Sequence, residues 1–137
     1  MKSLGRAIDL LGPYQATGAF VMRAWARDHA EVLERYLAGY IEATRWARDP
    51  ANRAGCIRLL TERLKLEPDV AARTYEALMD PAFGLYPDSR FNLAGFRNVL
   101  ALRAEIEGQW GGKPPAPDKY LELGYYERAL VLTGKTP

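Results

Sequence analysis

The sequence has very few of the side chains on which metal and redox sites depend. One cysteine, Cys56, and one histidine, His29, occur among the 137 residues. A single cysteine excludes an internal disulfide framework and a cysteine-based zinc site. A single histidine excludes a multi-histidine metal site. We therefore expect no bound metal and no cofactor.

Motifs for nucleophilic catalysis and phosphate binding are also missing. Cys56 lies in an apolar helical segment with no basic neighbour specified, which favours a buried, inert thiol. His29 has no partner at a catalytic spacing. Prolines follow Gly111 and Gly112, which excludes a phosphate-binding loop at that point. We therefore predict no catalytic residues, and we expect that the protein is not an enzyme.

Excess charge and long apolar runs are equally scarce. The chain has 19 Lys and Arg against 17 Asp and Glu, and this net charge of +2 favours neither a nucleic-acid partner nor a membrane surface. No segment approaches the roughly 18 apolar residues of a membrane span. Asp9 interrupts the first apolar stretch, so no secretory signal is predicted. This pattern predicts a cytoplasmic protein if Met1 is the native start.

Helical patterning is what the sequence does contain. Asp28 and Glu31 form a capping-box pattern before a long apolar stripe, which predicts the strongest helix from about Asp28 to Arg48. Further helix starts are predicted at Pro50, Pro68, Asn92 and Asp118, and a short helix is predicted from Ser3 to Leu11. We therefore predict one mainly α domain over residues 1–137.

One segment, Gly18 to Arg23, predicts a short β-strand. Both of its faces are apolar, as in a strand covered on both sides. A lone strand leaves backbone N–H and C=O groups unpaired on both edges, so it needs a partner. Two copies of the chain can pair these strands about a two-fold axis and form a homodimer. Alternatively, residues 1–11 fold over one edge of the strand.

Several short strings, in order along nearly the whole chain, carry a family resemblance. They are Gly12-Pro13-Tyr14-Gln15-Ala16-Thr17-Gly18, Ala24-Trp25-Ala26, Ala38-Gly39-Tyr40, Asp49-Pro50-Ala51-Asn52-Arg53, Asp80-Pro81, Asn92-Leu93-Ala94-Gly95, Asn98-Val99-Leu100, Pro117-Asp118-Lys119-Tyr120 and Tyr125-Tyr126-Glu127-Arg128-Ala129. Together they resemble the C-terminal part of the ABC-transporter substrate-binding proteins for nitrate, sulfonates and taurine. These proteins have the type 2 periplasmic binding protein fold.

The resemblance implies a function that the residue patterns alone do not. Family members have two lobes, and the N-terminal lobe has no counterpart in this sequence. The chain then corresponds to the C-terminal segment of a periplasmic binding protein for a small polar or anionic solute. Its partner in the full-length parent is an ABC permease, and the segment is not expected to bind solute alone.

The resemblance also indicates candidate ligand-binding residues, namely Tyr14, Gln15 and Thr17. They fall near the crossover that lines the family's pocket, and their hydroxyl and amide groups suit a small polar ligand. A plain polar turn before a strand is an equally open interpretation of these residues. The alternative function is a free-standing helical interaction or dimerisation module without a transport role.

Overall fold

A computed structural model describes residues 5–134, and in that range the secondary structure is helical. The α-helices are α1 Ala7–Leu11, α2 Arg23–Asp28, α3 Ala30–Arg48, α4 Arg53–Leu64, α5 Pro68–Met79, α6 Leu93–Glu107 and α7 Gly124–Leu132. The prediction of a mainly α fold is confirmed. None of the helices in the described part of the chain is long and apolar enough to cross a membrane.

Several helix boundaries follow the local signals that predicted them. α5 begins at Pro68 and ends before Asp80, because proline fits a first helical turn and the residue before Pro81 disfavours helix. Asn92 caps α6, since its side-chain oxygen accepts a hydrogen bond from the backbone N–H of Gly95 at 2.8 Å. Gly108 then ends α6 with a φ of 65°, a conformation that glycine adopts at little cost.

Other boundaries differ from the prediction. The N-cap of α3 is His29 and makes no side-chain capping bond, whereas Asp28 ends the preceding helix α2. The capping box at Asp28 is therefore wrong, because the chain is already helical from residue 23 and turns only at residue 29. Asp118 lies in a 3-10 turn and α7 begins six residues later, so Asp118 caps no helix. A helix was predicted from Ser3 to Leu11. The structure has α1 from Ala7 to Leu11, and Ser3 lies outside the described residues.

The predicted strand from Gly18 to Arg23 is not confirmed, because no strand occurs between residues 5 and 134. Residues 18–22 are irregular, and Arg23 is the first residue of α2. No described segment pairs with them, and a strand without a ladder partner has no backbone bonds to hold it. Phe20 and Met22 are 94% and 76% exposed, so neither is covered as in a sheet interior. Pairing of two copies through this segment stays a prediction.

Contacts within the chain group it into two compact units. The first unit contains residues 5–26 and 91–123, and the second contains residues 27–90 and 124–134. Each unit therefore combines segments that are distant in sequence. The single domain over residues 1–137 stays a prediction.

The second unit is built on α3, the longest helix in the described range. α3 packs against α7 and also contacts α4, which in turn packs against α5. The most buried side chains in this unit are Ile41, Thr44, Cys56, Ala71, Tyr75 and Ala129. Tyr75 is also tied by its hydroxyl, which donates to the carbonyl of Ala47 at 3.1 Å. Burial of a large aliphatic or aromatic side chain stabilises the folded state by about 1.5–3 kcal/mol.

Arg45 joins the loop at residues 85–90 to the helices of the second unit. Its Nε donates to Oδ1 of Asp88 at 2.6 Å, and one terminal nitrogen donates to the carbonyl of Thr133 at 3.1 Å. The other terminal nitrogen is buried without a hydrogen-bond partner among the described residues. Asp88 and Ser89 have φ angles of 56° and 54°, which are costly for residues other than glycine. The Arg45–Asp88 pair thus holds a strained loop in place.

Tyr126 adds a second tie to the same loop. Its hydroxyl donates to the backbone carbonyl of Asp88 at 3.0 Å. Burial raises the pKa of Tyr126, and the nearby carboxylate of Asp88 raises it further. The phenol therefore stays protonated at neutral pH and keeps the proton that it donates.

Removal of the Asp88 carboxylate tests the importance of this loop. We expect Asp88→Ala to lower the free energy of unfolding by about 2–3 kcal/mol, because the partly buried Arg45 loses its counter-charge. Urea denaturation followed by circular dichroism measures the change. The matched control is Asp69→Ala, whose ion pair with Arg73 is exposed and is expected to cost less than about 0.5 kcal/mol. Equal losses in the two variants would show that the loop contact does not stabilise the unit.

Candidate functional site

In the first unit, the segment from Leu11 to Thr17 lies against the N-terminal half of α6. The side-chain amide of Asn98 donates to the carbonyls of Leu11 and Pro13, at 2.5 and 2.8 Å. The side-chain oxygen of Gln15 accepts from the backbone N–H of Asn92 at 3.0 Å. These bonds give polar partners to the carbonyls of Leu11 and Pro13 and to the N–H of Asn92, the N-cap residue of α6, which would otherwise need water. We call this set of contacts the amide clasp.

Gly95 allows the backbone of this segment to approach α6 closely. A Cβ atom at residue 95 would lie 2.7 Å from the backbone nitrogen of Gln15 and 2.8 Å from the carbonyl carbon of Tyr14. Both distances are too short for any real side chain. Asn92, Gly95 and Asn98 follow one another at intervals of three residues, which places them along one side of α6. The helix cap at Asn92, the position without a side chain at Gly95 and the amide of Asn98 therefore all face the same segment.

The clasped segment forms one wall of a groove in the first unit. The groove has a volume of about 260 Å³ and is lined by Gln15, Ala16, Thr17, Gly18, Ala19, Phe20, Phe91, Phe96, Val99, Tyr120 and Leu121. Phe91 and Phe96 meet edge to face, with ring centroids 5.4 Å apart, which is a favourable aromatic geometry. The groove is thus lined by aromatic rings on one side and by the polar segment with Gln15 and Thr17 on the other.

The polar groups of the groove are neutral. Its lining residues, all within the described range, include no lysine, arginine, aspartate or glutamate. The hydroxyl of Tyr120 accepts a hydrogen bond from the indole nitrogen of Trp110 at 2.9 Å, which orients it. Neutral hydroxyl, amide and aromatic groups can hold a small polar molecule, but they supply no counter-charge to an anion.

The structure separates the three residues predicted to bind ligand. Gln15 and Thr17 line this groove, whereas Tyr14 lines a smaller one of about 150 Å³ with Leu11 and residues of α6. The side-chain nitrogen of Gln15 donates to the carbonyl of Thr17, while its oxygen is bonded to Asn92. Both polar ends of Gln15 are therefore used within the chain. Its role in this structure is to position the segment, whereas Tyr14 and Thr17 are exposed.

Sequence reasoning missed the aromatic part of the groove. Phe91, Phe96 and Tyr120 come from segments more than 70 residues beyond the clasped one. None of the three was predicted to belong to a site. The spacing of Asn92, Gly95 and Asn98 was the one available signal, because residues three apart on a helix are neighbours and can face the same segment.

The other residues considered for chemistry lie outside the groove. Cys56 is buried in the second unit, as predicted, and burial raises the pKa of its thiol. The reactive thiolate is therefore disfavoured at neutral pH. Within residues 5–134, no group of three or more His, Cys, Asp or Glu side chains is arranged to hold a metal ion.

Comparison with known proteins adds no relative to this description. No family model, no curated protein and no solved structure matches the chain. The resemblance to nitrate-, sulfonate- and taurine-binding proteins thus stays a prediction, and the candidate site stands on its geometry.

Gly95→Ala tests the close approach of the clasped segment to α6. The added methyl group meets backbone atoms at less than 3 Å, so we expect a loss of about 1–3 kcal/mol in the free energy of unfolding. Urea denaturation provides the measurement. The control is Ala94→Ser on the neighbouring exposed position, with an expected change within about 0.5 kcal/mol. An unchanged or increased stability of Gly95→Ala would contradict the close approach.

Proposed function

We propose that the chain is the C-terminal segment of a periplasmic solute-binding protein that delivers a small polar or anionic solute to an ABC permease. One observation carries the proposal. The string at residues 12–18 is bonded to two other strings that share in the family resemblance, those at residues 92–95 and 98–100, through Gln15–Asn92 and Asn98–Pro13. Strings of one family fold are expected to pack on each other, and this contact supports the proposal.

The position of the groove supports the same proposal. Gln15 fixes the clasped segment, and Thr17 lines the groove beside it. The family places its ligand next to the corresponding crossover. Thr17 offers a hydroxyl that can donate to and accept from a polar solute.

The neutral lining of the groove is compatible with a segment that works with a second lobe. Sulfonate and nitrate need converging N–H donors or cations, and the groove lining carries no charged side chain. In a two-lobed binding protein the solute lies between lobes, so the other lobe supplies the missing donors. The segment alone therefore provides one wall of the pocket.

We expect the isolated chain to bind no anionic solute of this class. Titration calorimetry with taurine, sodium nitrate and ethanesulfonate, each up to about 1 mM, should give only heats of dilution. The physical reason is the missing counter-charge, which makes desolvation of the anion unfavourable. A micromolar dissociation constant for any of the three would refute this expectation.

The function itself is tested by deletion of the gene. We expect the deletion strain to lose growth on at least one of taurine, ethanesulfonate and nitrate as the sole sulfur or nitrogen source. The full-length parent protein with the wild-type sequence or with Ala94→Ser should restore growth, whereas the parent with Gly95→Leu should not, because a leucine cannot fit against the backbone of residues 14 and 15. The protein should appear in the osmotic-shock fluid. Normal growth of the deletion strain on all three solutes, with the protein retained after shock, would contradict the proposal.

A helical interaction module without a transport role is the second candidate function. The observation that favours it is an exposed apolar face on α3, where Val32 and Tyr36 are 57% and 62% exposed. A helix with apolar side chains on two opposite faces has more apolar surface than one core requires.

A further inference from the structure

The outer face of α3 lies opposite its buried face. Ile41 and Thr44 are 1% and 6% exposed and define the inner side of the helix. Val32, Tyr36, Gly39 and Ala43 follow one another at intervals of four, three and four residues, so they form one line on the outer side. All four are exposed. We call this line the outer stripe.

The outer stripe has a projecting aromatic side chain next to two small residues. Tyr36 projects an aromatic ring, and Gly39 has no side chain. A Cβ built at Gly39 meets nothing within 4 Å, and Ala43 one turn further adds only a methyl group. Small residues allow two helices to approach closely, since the axial distance depends on the side chains at the contact. The notch at Gly39 and Ala43 therefore has room for a ring such as that of Tyr36.

We propose that the outer stripe is the interface of a two-fold symmetric homodimer in which α3 packs antiparallel to α3 of a second copy. With the two-fold axis near Ala38 and Gly39, Tyr36 of each copy enters the notch between Gly39 and Ala43 of the other. A contact of this kind is isologous and closes on itself, so it limits assembly to two chains.

Charge complementarity selects the second copy and its direction. Arg35 and Glu42 are seven residues apart and lie on the same edge of the outer stripe, and both are exposed. In the antiparallel arrangement, Arg35 of each copy stands beside Glu42 of the other. In a parallel two-fold arrangement, this edge of one copy and the same edge of the other lie on opposite sides of the interface, so Arg35 and Glu42 do not meet. Opposite charges at reciprocal positions thus fit a copy of the same helix running the other way.

The existing ion pair of Arg35 is compatible with this arrangement. One terminal nitrogen of Arg35 donates to Oε1 of Glu31 at 2.6 Å, and these side chains are 74% and 77% exposed. A guanidinium group carries five N–H donors, so Arg35 can keep Glu31 and also reach Glu42 of the second copy. A contact confined to one helix face is small among specific interfaces, so we expect a micromolar dissociation constant.

Sedimentation equilibrium of the full chain between about 1 and 200 µM tests the proposal. We expect the average mass to rise from 15.4 kDa toward twice that value. Gly39→Leu fills the notch with a good helix former and should weaken association at least tenfold without loss of helical circular dichroism. Glu62→Arg, an exposed change of charge on α4, is the control and should leave association unchanged.

A charge swap separates this interface from a general effect on folding. Arg35→Glu and Glu42→Arg should each weaken association about tenfold, because each brings like charges together across the interface. The double variant with both changes should recover the wild-type dissociation constant, since the opposite charges are then restored in exchanged places. A purely structural role of either residue predicts no such recovery.

Three outcomes would overturn the proposal. They are a constant mass of 15.4 kDa up to 200 µM, a dimer that neither charge reversal weakens, and a dimer that Val21→Pro abolishes while Gly39→Leu leaves it intact. The last result would assign dimerisation to the segment at residues 18–23 instead. The proposal supplies a partner for the second candidate function, and its failure is distinguishable from failure of the transport proposal because solute uptake is not one of its readouts.

Discussion

The close contact between Gly95 and the backbone of residues 14 and 15 is the constraint on which the candidate site depends. Without a Cβ at residue 95, an irregular segment can lie directly on a helix. The amides of Gln15 and Asn98 then use this proximity to bond backbone groups on both sides. The groove exists because the clasped segment stays in place as one of its walls. The functional proposal therefore rests on one missing methyl group and a few hydrogen bonds.

In the second unit, a charged side chain, Arg45, holds an irregular segment against a helix, as the close contact at Gly95 does in the first unit. Arg45 on α3 bonds Asp88 and the carbonyl of Thr133, which joins a strained loop and the end of α7 to the longest helix. These contacts, with Ile41 and Thr44, account for the inner side of α3. The outer stripe has no such partner within residues 5–134. One helix thus organises a unit on one side and offers a self-complementary surface on the other.

Sequence reasoning succeeded where the determining interaction is local. Proline fixes φ and glycine permits a positive φ, so the limits of α5 and the end of α6 at Gly108 were predictable, as was the Asn92 cap. Sequence reasoning failed where the structure of a segment depends on a partner that is distant in sequence. The pattern at residues 18–23 suits a strand, but no described segment pairs with it. Of the site, Gln15 and Thr17 were predicted, but the rings of Phe91, Phe96 and Tyr120 lie too far along the chain for a local pattern to reveal them.

Amide hydrogen exchange at Asn92 tests the central claim, that the family-like segment is clasped on α6, most directly. In the wild type, NMR should show the Asn92 N–H protected at least about a hundredfold, since it donates to Gln15. In Gln15→Leu this protection should disappear, while the Phe96 N–H stays protected by its bond to the carbonyl of Asn92 at 2.9 Å. Unprotected exchange of the Asn92 N–H in the wild type, or protection that survives in Gln15→Leu, would contradict the account.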